Sequence, residues 1–216
     1  MDLNPHEGGI PLYKNYDILV NKTNRLPEDY VPPDLREIRI PFDAPPGDPK
    51  RQMREEAARA AEALFARAAA SGITLYGISG YRSYERQAQI IADRLKETGP
   101  VHVGKYIAPA GGSEHQTGLS LDVSCEAAGL DLVDGFADTQ EGRWLKRFAP
   151  LYGFILRYPR HKEEITGYAW EPWHIRYVTK PLSMYLTKTD LTLEEYHNLK
   201  TSISGNCQAA DGDGVG

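Results

Sequence analysis

Apolar residues recur along this chain in two periods, and the switches between them outline its elements. Met53, Ala57, Ala61, Leu64 and Ala68 repeat every three to four residues, the spacing of one face of an amphipathic helix. Asp48-Pro49 supplies an N-cap and a proline at the first helical position, and Gly72 ends the run, so a long helix is predicted between them whose alanines suit close packing on a sheet. Residues 73–78 read as a strand delivering Ser79-Gly-Tyr-Arg82, after which Tyr84, Ala88, Ile91 and Leu95 return to helical spacing. Arg82 therefore stands at a strand-to-helix junction, which can present a side chain to a site, although on the residues alone a surface arginine is the expected reading.

Leu119, Leu121 and Val123 alternate with polar neighbours after Gly118, as in a strand that fixes Asp122 on one pleat face. A helix carrying Trp144, Leu145, Phe148 and Leu151 opens at a capping-box-like Asp138-Thr-Gln-Glu141 and stops at Tyr152-Gly153. Strands at 154–157, 168–170 and 175–178 follow, then a short helix near 192–200 opened by the capping box Thr192-Leu-Glu-Glu195. Residues 99–113 read as a Gly and Pro loop ending in Pro109-Ala-Gly-Gly112, flexible enough to approach a substrate backbone. Residues 126–137 read as an irregular excursion, and the basic cluster at 157–162, broken by Pro159, as a solvated loop.

Pro32-Pro33 and Pro45-Pro46 make residues 1–47 an extended arm, anchored by Tyr13, Tyr16, Tyr30 and Phe42. From Ser204 the chain is too rich in Gly and Asp to fold. The expected organisation is one domain over residues 1–203 with a flexible tail at 204–216.

Composition narrows the function. A chain of 216 residues is long enough to bury about 70% of its unfolded surface in one core. No run approaches the ~20 apolar residues of a membrane span. A net charge of -5 argues against nucleic-acid binding, which draws on clustered Lys and Arg. Cys125 and Cys207 lack Cys-x-x-Cys spacing, so neither a zinc knuckle nor a redox motif is expected. Cys125 is read as a packed or free thiol, and its pairing with Cys207 would need an oxidising compartment. The first nine residues lack the regions of a signal peptide, so the chain is expected to be cytoplasmic unless an export segment has been removed.

The chemistry concentrates in two stretches. Ser113-Glu-His-Gln-Thr-Gly-Leu-Ser-Leu-Asp122 offers His115 on an incoming loop and Asp122 on the strand, and Glu171-Pro-Trp-His174 offers a third ligand beside another strand. Two imidazoles and a carboxylate with one position left open are the ligand set of a hydrolytic zinc centre. Glu171, three residues before His174, is a carboxylate that could serve such a centre as a base. Spacing alone is weak support, since Glu194 and His197 repeat Glu-x-x-His inside a capped helix, where His197 is read as a surface residue.

These two stretches, together with Ser79-Gly-Tyr-Arg-Ser83, resemble the signature of VanY-type zinc D-alanyl-D-alanine carboxypeptidases. Tyr152-Gly-Phe-Ile-Leu-Arg-Tyr-Pro159 and Leu193-Glu-Glu-Tyr-His197 resemble the related VanXY branch, and the likeness runs over roughly residues 19–198. It implies an α+β domain of the hedgehog and D,D-peptidase kind, with a central, mainly antiparallel sheet carrying the zinc site and helices flanking it. It also implies one Zn2+ per chain on His115, Asp122 and His174, Glu171 as general base and Arg82 at the oxyanion.

Ser113 and Tyr84 are candidates for the substrate's terminal carboxylate. Trp173 is a candidate for the site floor or a substrate contact, and Gln87 for support of Arg82 or a place at the core edge. The implied substrate is the C-terminal D-alanine of a peptidoglycan stem pentapeptide or its precursor, in a bacterial setting of vancomycin resistance or wall maturation. An L,D-carboxypeptidase, a D-Ala-D-Ala dipeptidase, a phage endolysin and a non-catalytic hedgehog-like zinc module stay open at this point.

Overall fold

The structure of the chain, a computed structural model, describes residues 15–210, without the side chains of 101–106 and 203–210. Tyr13 and the side chain of Cys207 therefore lie outside the described residues. The order is β1 (Leu35–Glu37), β2 (Gln52–Arg54), α1 (Glu55–Ala70), β3 (Tyr76–Ser79), α2 (Tyr84–Tyr106), β4 (Ser120–Ser124), α3 (Gln140–Phe148), β5 (Phe154–Tyr158), α4 (Glu163–Thr166), β6 (Glu171–Tyr177), α5 (Lys180–Thr189) and α6 (Leu193–Ala210). The four-stranded sheet has the order β3-β4-β6-β5 with every pairing antiparallel, and β1 pairs with β2 beside it. This is the expected α+β fold.

The sheet separates a packed face from a chemical one. Leu121 of β4 sits opposite Ile175 of β6, and both join Val123 and the α1 residues Ala57, Ala61, Leu64 and Ala68 in one buried core. Asp122 sits opposite His174, and Ser120 opposite Arg176, one residue out of step, so the period of two turns these polar side chains to the other face. A smaller cluster of Ile155, Val178, Leu186 and Leu193 holds α5 and α6 against β5.

The long helix begins later than its apolar spacing predicts. Asp48 caps only a 3₁₀ turn, Pro49–Arg51, and Met53 lies on β2, because the chain first pairs with β1 before α1 starts at Glu55. Alanines on the inner face let α1 lie close to the sheet, and Gly72 at φ +73° ends it without the penalty a Cβ would bring. Two of the arm's aromatics reach the sheet: Tyr16 packs edge-on against Tyr177 at 5.6 Å, and Phe42 bridges to Gly77.

Several loops prove to be built differently from their composition. α2 continues to Tyr106 across a break at Gly99 (φ 77°, ψ 171°), since Pro100 is a tolerated first residue for the second segment. Its stripe is also rotated: Gln87 is buried while Ala88 and Leu95 are exposed. Leu151 is exposed in a 3₁₀ turn after α3, and the α3 cap is Thr139, which accepts from the Gly142 N–H at 2.9 Å, in place of Asp138.

Residues 168–170 are not a strand. β6 begins at Glu171, but its pairing with β4 starts only at His174 and its pairing with β5 is irregular between Ile175 and Glu171, so Pro172 falls outside the paired positions. α6 runs to Ala210, past the start of the expected tail.

Candidate metal and catalytic site

Each metal-ligand candidate is fixed by a different local device. His115 lies on the 3₁₀ turn Glu114–Thr117, closed by Gly118 at φ +67°, whose N–H returns to His115 O. A Cβ on Gly118 would come within 2.7 Å of Leu35, so both conformation and crowding demand glycine there. Asp122 and His174 are cross-strand neighbours. The three residues offer donor atoms that all lie within 4.8 Å of one another, and all three are buried.

Hydrogen bonds set which ring atoms are free. His115 Nδ1 is 2.6 Å from Gly80 O, and a carbonyl only accepts, so the proton sits on Nδ1 and the Nε2 lone pair faces Asp122 Oδ2 at 3.2 Å. His174 is turned the other way. Its Nε2 faces the carboxylate of Glu114 at 3.5 Å and its Nδ1 faces Asp122 Oδ1 at 3.0 Å. One Nε2, one Nδ1 and one carboxylate thus converge, a donor set that suits a small borderline cation with bonds of about 2.0–2.2 Å.

Burial and the neighbouring charges shift every one of these groups in the metal-free site. Burial works against the Asp122 charge, but His115 and His174 outweigh it and hold the carboxyl well below the usual range. Burial lowers the His115 ring. Burial also disfavours a charged His174, yet its bonds to Asp122 and Glu114 win and hold it up at about 9. Glu171, with Oε2 3.8 Å from His174 Nδ1, is raised to about 7 by burial and by the charge of Asp122.

A cavity of about 280 Å³ opens over these groups, and its lining includes Arg82, Gln87, Ser113, Tyr158, Tyr168 and Trp173. Arg82 follows β3 as expected, donating to Gln87 Oε1 at 2.9 Å and Ser79 Oγ at 3.2 Å, with Asp122 Oδ2 at 3.9 Å. Gln87 in turn donates to Ala108 O at 2.7 Å. Tyr84 is half-buried beside Gly111 and is not among the residues lining the cavity.

Gly111-Gly112 is not a loose entry. Gly111 O accepts from Leu26 N, Gly112 O accepts from the Tyr168 hydroxyl, and a Cβ on Gly111 would lie 2.6 Å from Leu26 O. The pair is glycine because backbones meet there, which composition alone could not distinguish from flexibility.

Arg157 departs furthest from expectation. It is 1% exposed, and its guanidinium lies between Glu114 and Glu194. Arg160, stacked 3.8 Å over Trp170, the exposed His161, and Lys162, paired with Glu195, keep the character of a surface loop. His197 is half-buried, its Nε2 donating to Asp17 O at 2.6 Å. Cys125 is a buried free thiol.

Tyr158, Tyr168, Glu114 and Arg176 were not singled out by sequence reasoning. Arg176 was within reach of it, lying two residues beyond His174 and hence on the same face of a strand.

Comparison with known proteins identifies the family. The VanY family model, D-alanyl-D-alanine carboxypeptidase, matches residues 50–180. The chain is 43% identical over 183 residues to the putative carboxypeptidase YodJ of Bacillus subtilis, covering 85% of this chain and 67% of that protein. It is similar to the solved LdcB LD-carboxypeptidase, with 43% identity, a TM-score of 0.80, and coverage of 83% of this chain and 84% of that one. It is also similar to a mutant of the vancomycin resistance D,D-pentapeptidase VanY solved with Zn(II), with 31% identity, a TM-score of 0.68, and coverage of 84% and 98%. Among the described residues no helix is long and apolar enough to cross a membrane. The buried donor triad, the carboxylate beside it and the family match over most of the sheet make this chain a metallopeptidase of the VanY carboxypeptidase family.

Proposed function

We propose that this chain is a zinc-dependent carboxypeptidase that releases the C-terminal D-alanine of a peptidoglycan stem peptide. The observation that carries the reading is the convergence of His115 Nε2, Asp122 and His174 Nδ1 beneath one cavity that Glu171 and Arg82 also line. Zinc bound there would supply Lewis acidity to a water and to the scissile carbonyl.

The chain's own groups do the rest. Glu171, held near 7, is poised to take a proton from the attacking water and give it to the departing amine. Arg82, fixed by Gln87 and Ser79, keeps donor capacity for the carbonyl oxygen as it gains charge. Ser113 and Trp173 line the cavity where the terminal residue would sit.

Two stems end in D-alanine. We place L,D-cleavage of the tetrapeptide first, supported by the likeness to LdcB in both identity and TM-score. D,D-cleavage of the pentapeptide is the second reading, supported by the VanY family model and the VanY structure. The test is mass analysis of products from defined muramyl tetra- and pentapeptides. Loss of one terminal alanine is expected, faster from the tetrapeptide. Faster loss from the pentapeptide reverses the order of the two readings, and a cut inside the stem rejects both.

A further inference from the structure

One side-chain cluster next to the site takes no part in the reaction described above. Glu114, adjacent to His115 in sequence, is 1% exposed. Its Oε1 accepts from Arg157 Nε and Arg176 Nη1, both at 2.7 Å. Its Oε2 accepts from Ser120 Oγ at 3.2 Å and faces His174 Nε2 at 3.5 Å. Arg157 uses its two remaining nitrogens on Glu194, at 2.8 and 2.6 Å, and is thereby held at three points. Arg176 also donates to the backbone oxygens of Tyr16 and Ile18.

Burying two carboxylates and two guanidiniums is a poor route to stability, because apolar side chains of similar volume generally do as well. The location gives a better reason. An imidazole that binds a metal through one nitrogen needs its other N–H held by an acceptor, which fixes the tautomer and the ring orientation. His115 has Gly80 O for this purpose. The carboxylate of Glu114 is the acceptor the structure provides on the far side of His174.

We infer that Glu114 is a positioning residue for His174, holding its proton on Nε2 and its Nδ1 towards the metal. Glu194 extends the same chain to α6 through Arg157. The inference rests on the reading of His115, Asp122 and His174 as a zinc site. It couples the last helix of the fold to a ligand on the central sheet.

The test compares wild-type protein with Glu114→Gln and Glu194→Gln. Zinc affinity is measured by chelator competition, and the rise in Tm on adding zinc is measured for each. Glu114→Gln should weaken zinc about 10–100-fold and shrink the zinc-induced rise in Tm, and Glu194→Gln should do the same to a smaller extent. In zinc-loaded wild-type protein, ¹⁵N shifts should place the metal on Nδ1 of His174 and the proton on Nε2.

A purely structural cluster would lower Tm with and without zinc by the same amount and leave affinity unchanged, which overturns the proposal. Metal on Nε2 of His174 overturns it as well. Should Glu114→Gln fail to fold, Glu194→Gln decides, since it leaves Glu114 in place. Wild-type protein that binds no zinc would remove the ligand assignment and this proposal with it, whereas normal wild-type binding with unchanged variants removes this proposal alone.

Discussion

Gln87 Oε1 accepts a 2.9 Å hydrogen bond from Arg82 Nη1 while its own amide nitrogen is anchored on Ala108 O at 2.7 Å. The guanidinium is therefore held from one side, beside Asp122, with donor capacity left towards the cavity. Arg82→Lys should lower kcat about 10²–10³-fold, because an ammonium cannot reproduce the fork that meets a developing oxyanion. Gln87→Ala should lower kcat by less and leave zinc content unchanged. Steady-state kinetics on a D-alanine-terminated peptide check both, and a Gln87→Ala effect confined to KM would place Gln87 on substrate binding instead.

Metal binding should release a proton. His174 is held up at about 9, against an ordinary value of 6.5, so its protonated form stabilises the metal-free fold fully below about 6.5, and that contribution is lost as pH rises through about 9. Asp122 and Glu114, held below the usual carboxylate range, contribute stability at neutral pH that is lost only in acid. At pH 8, between the about 7 of Glu171 and the about 9 of His174, zinc binding should expel about one proton. Calorimetry in buffers of different ionisation enthalpy measures it, and no release at pH 8 would contradict the His174 assignment.

Amidating the terminal D-alanine should abolish turnover. Donors in the cavity would lose an anionic partner, and unpaired polar groups in a built site reject an analogue by roughly 10⁴-fold. Equal hydrolysis of the amide and the acid would indicate an endopeptidase.

Arg157→Leu should be destabilising in a way no surface arginine is. It leaves Glu114 with Arg176 alone and Glu194 without its guanidinium, an uncompensated buried charge of a kind that costs about 3–5 kcal/mol. Arg160→Leu, three residues further on and exposed over Trp170, should change stability by less than about 1 kcal/mol. Urea unfolding of the two variants makes the comparison.

The contrast between Arg157 and Arg160 marks where the sequence could be read and where it could not. His115, Asp122, Glu171 and His174 were legible because they fall in two short stretches that together carry the family resemblance, which their spacing alone would not have established. The β4 pattern of Leu119, Leu121 and Val123 was legible because one face of the strand is packed. Arg157 was not, since a run of Arg, Tyr, Pro and Lys looks the same on paper whether its first member points to solvent or to Glu114 and Glu194.

The start of α1 was misplaced for a similar reason. Asp48-Pro49 is a good cap for any helical turn, and only the pairing of β2 with β1, from Glu37 with Gln52 to Leu35 with Arg54, makes that turn stop at Arg51.

The central claim, that Glu171 carries protons at a metal held by His115, Asp122 and His174, is tested most directly by measuring zinc and D-alanine release on the same preparations. Wild-type protein should bind one zinc and release D-alanine, and Glu171→Gln should keep its zinc while losing at least about 10²-fold in kcat. His174→Ala should lose both. Loss of zinc from Glu171→Gln, or wild-type turnover by it, would contradict the claim.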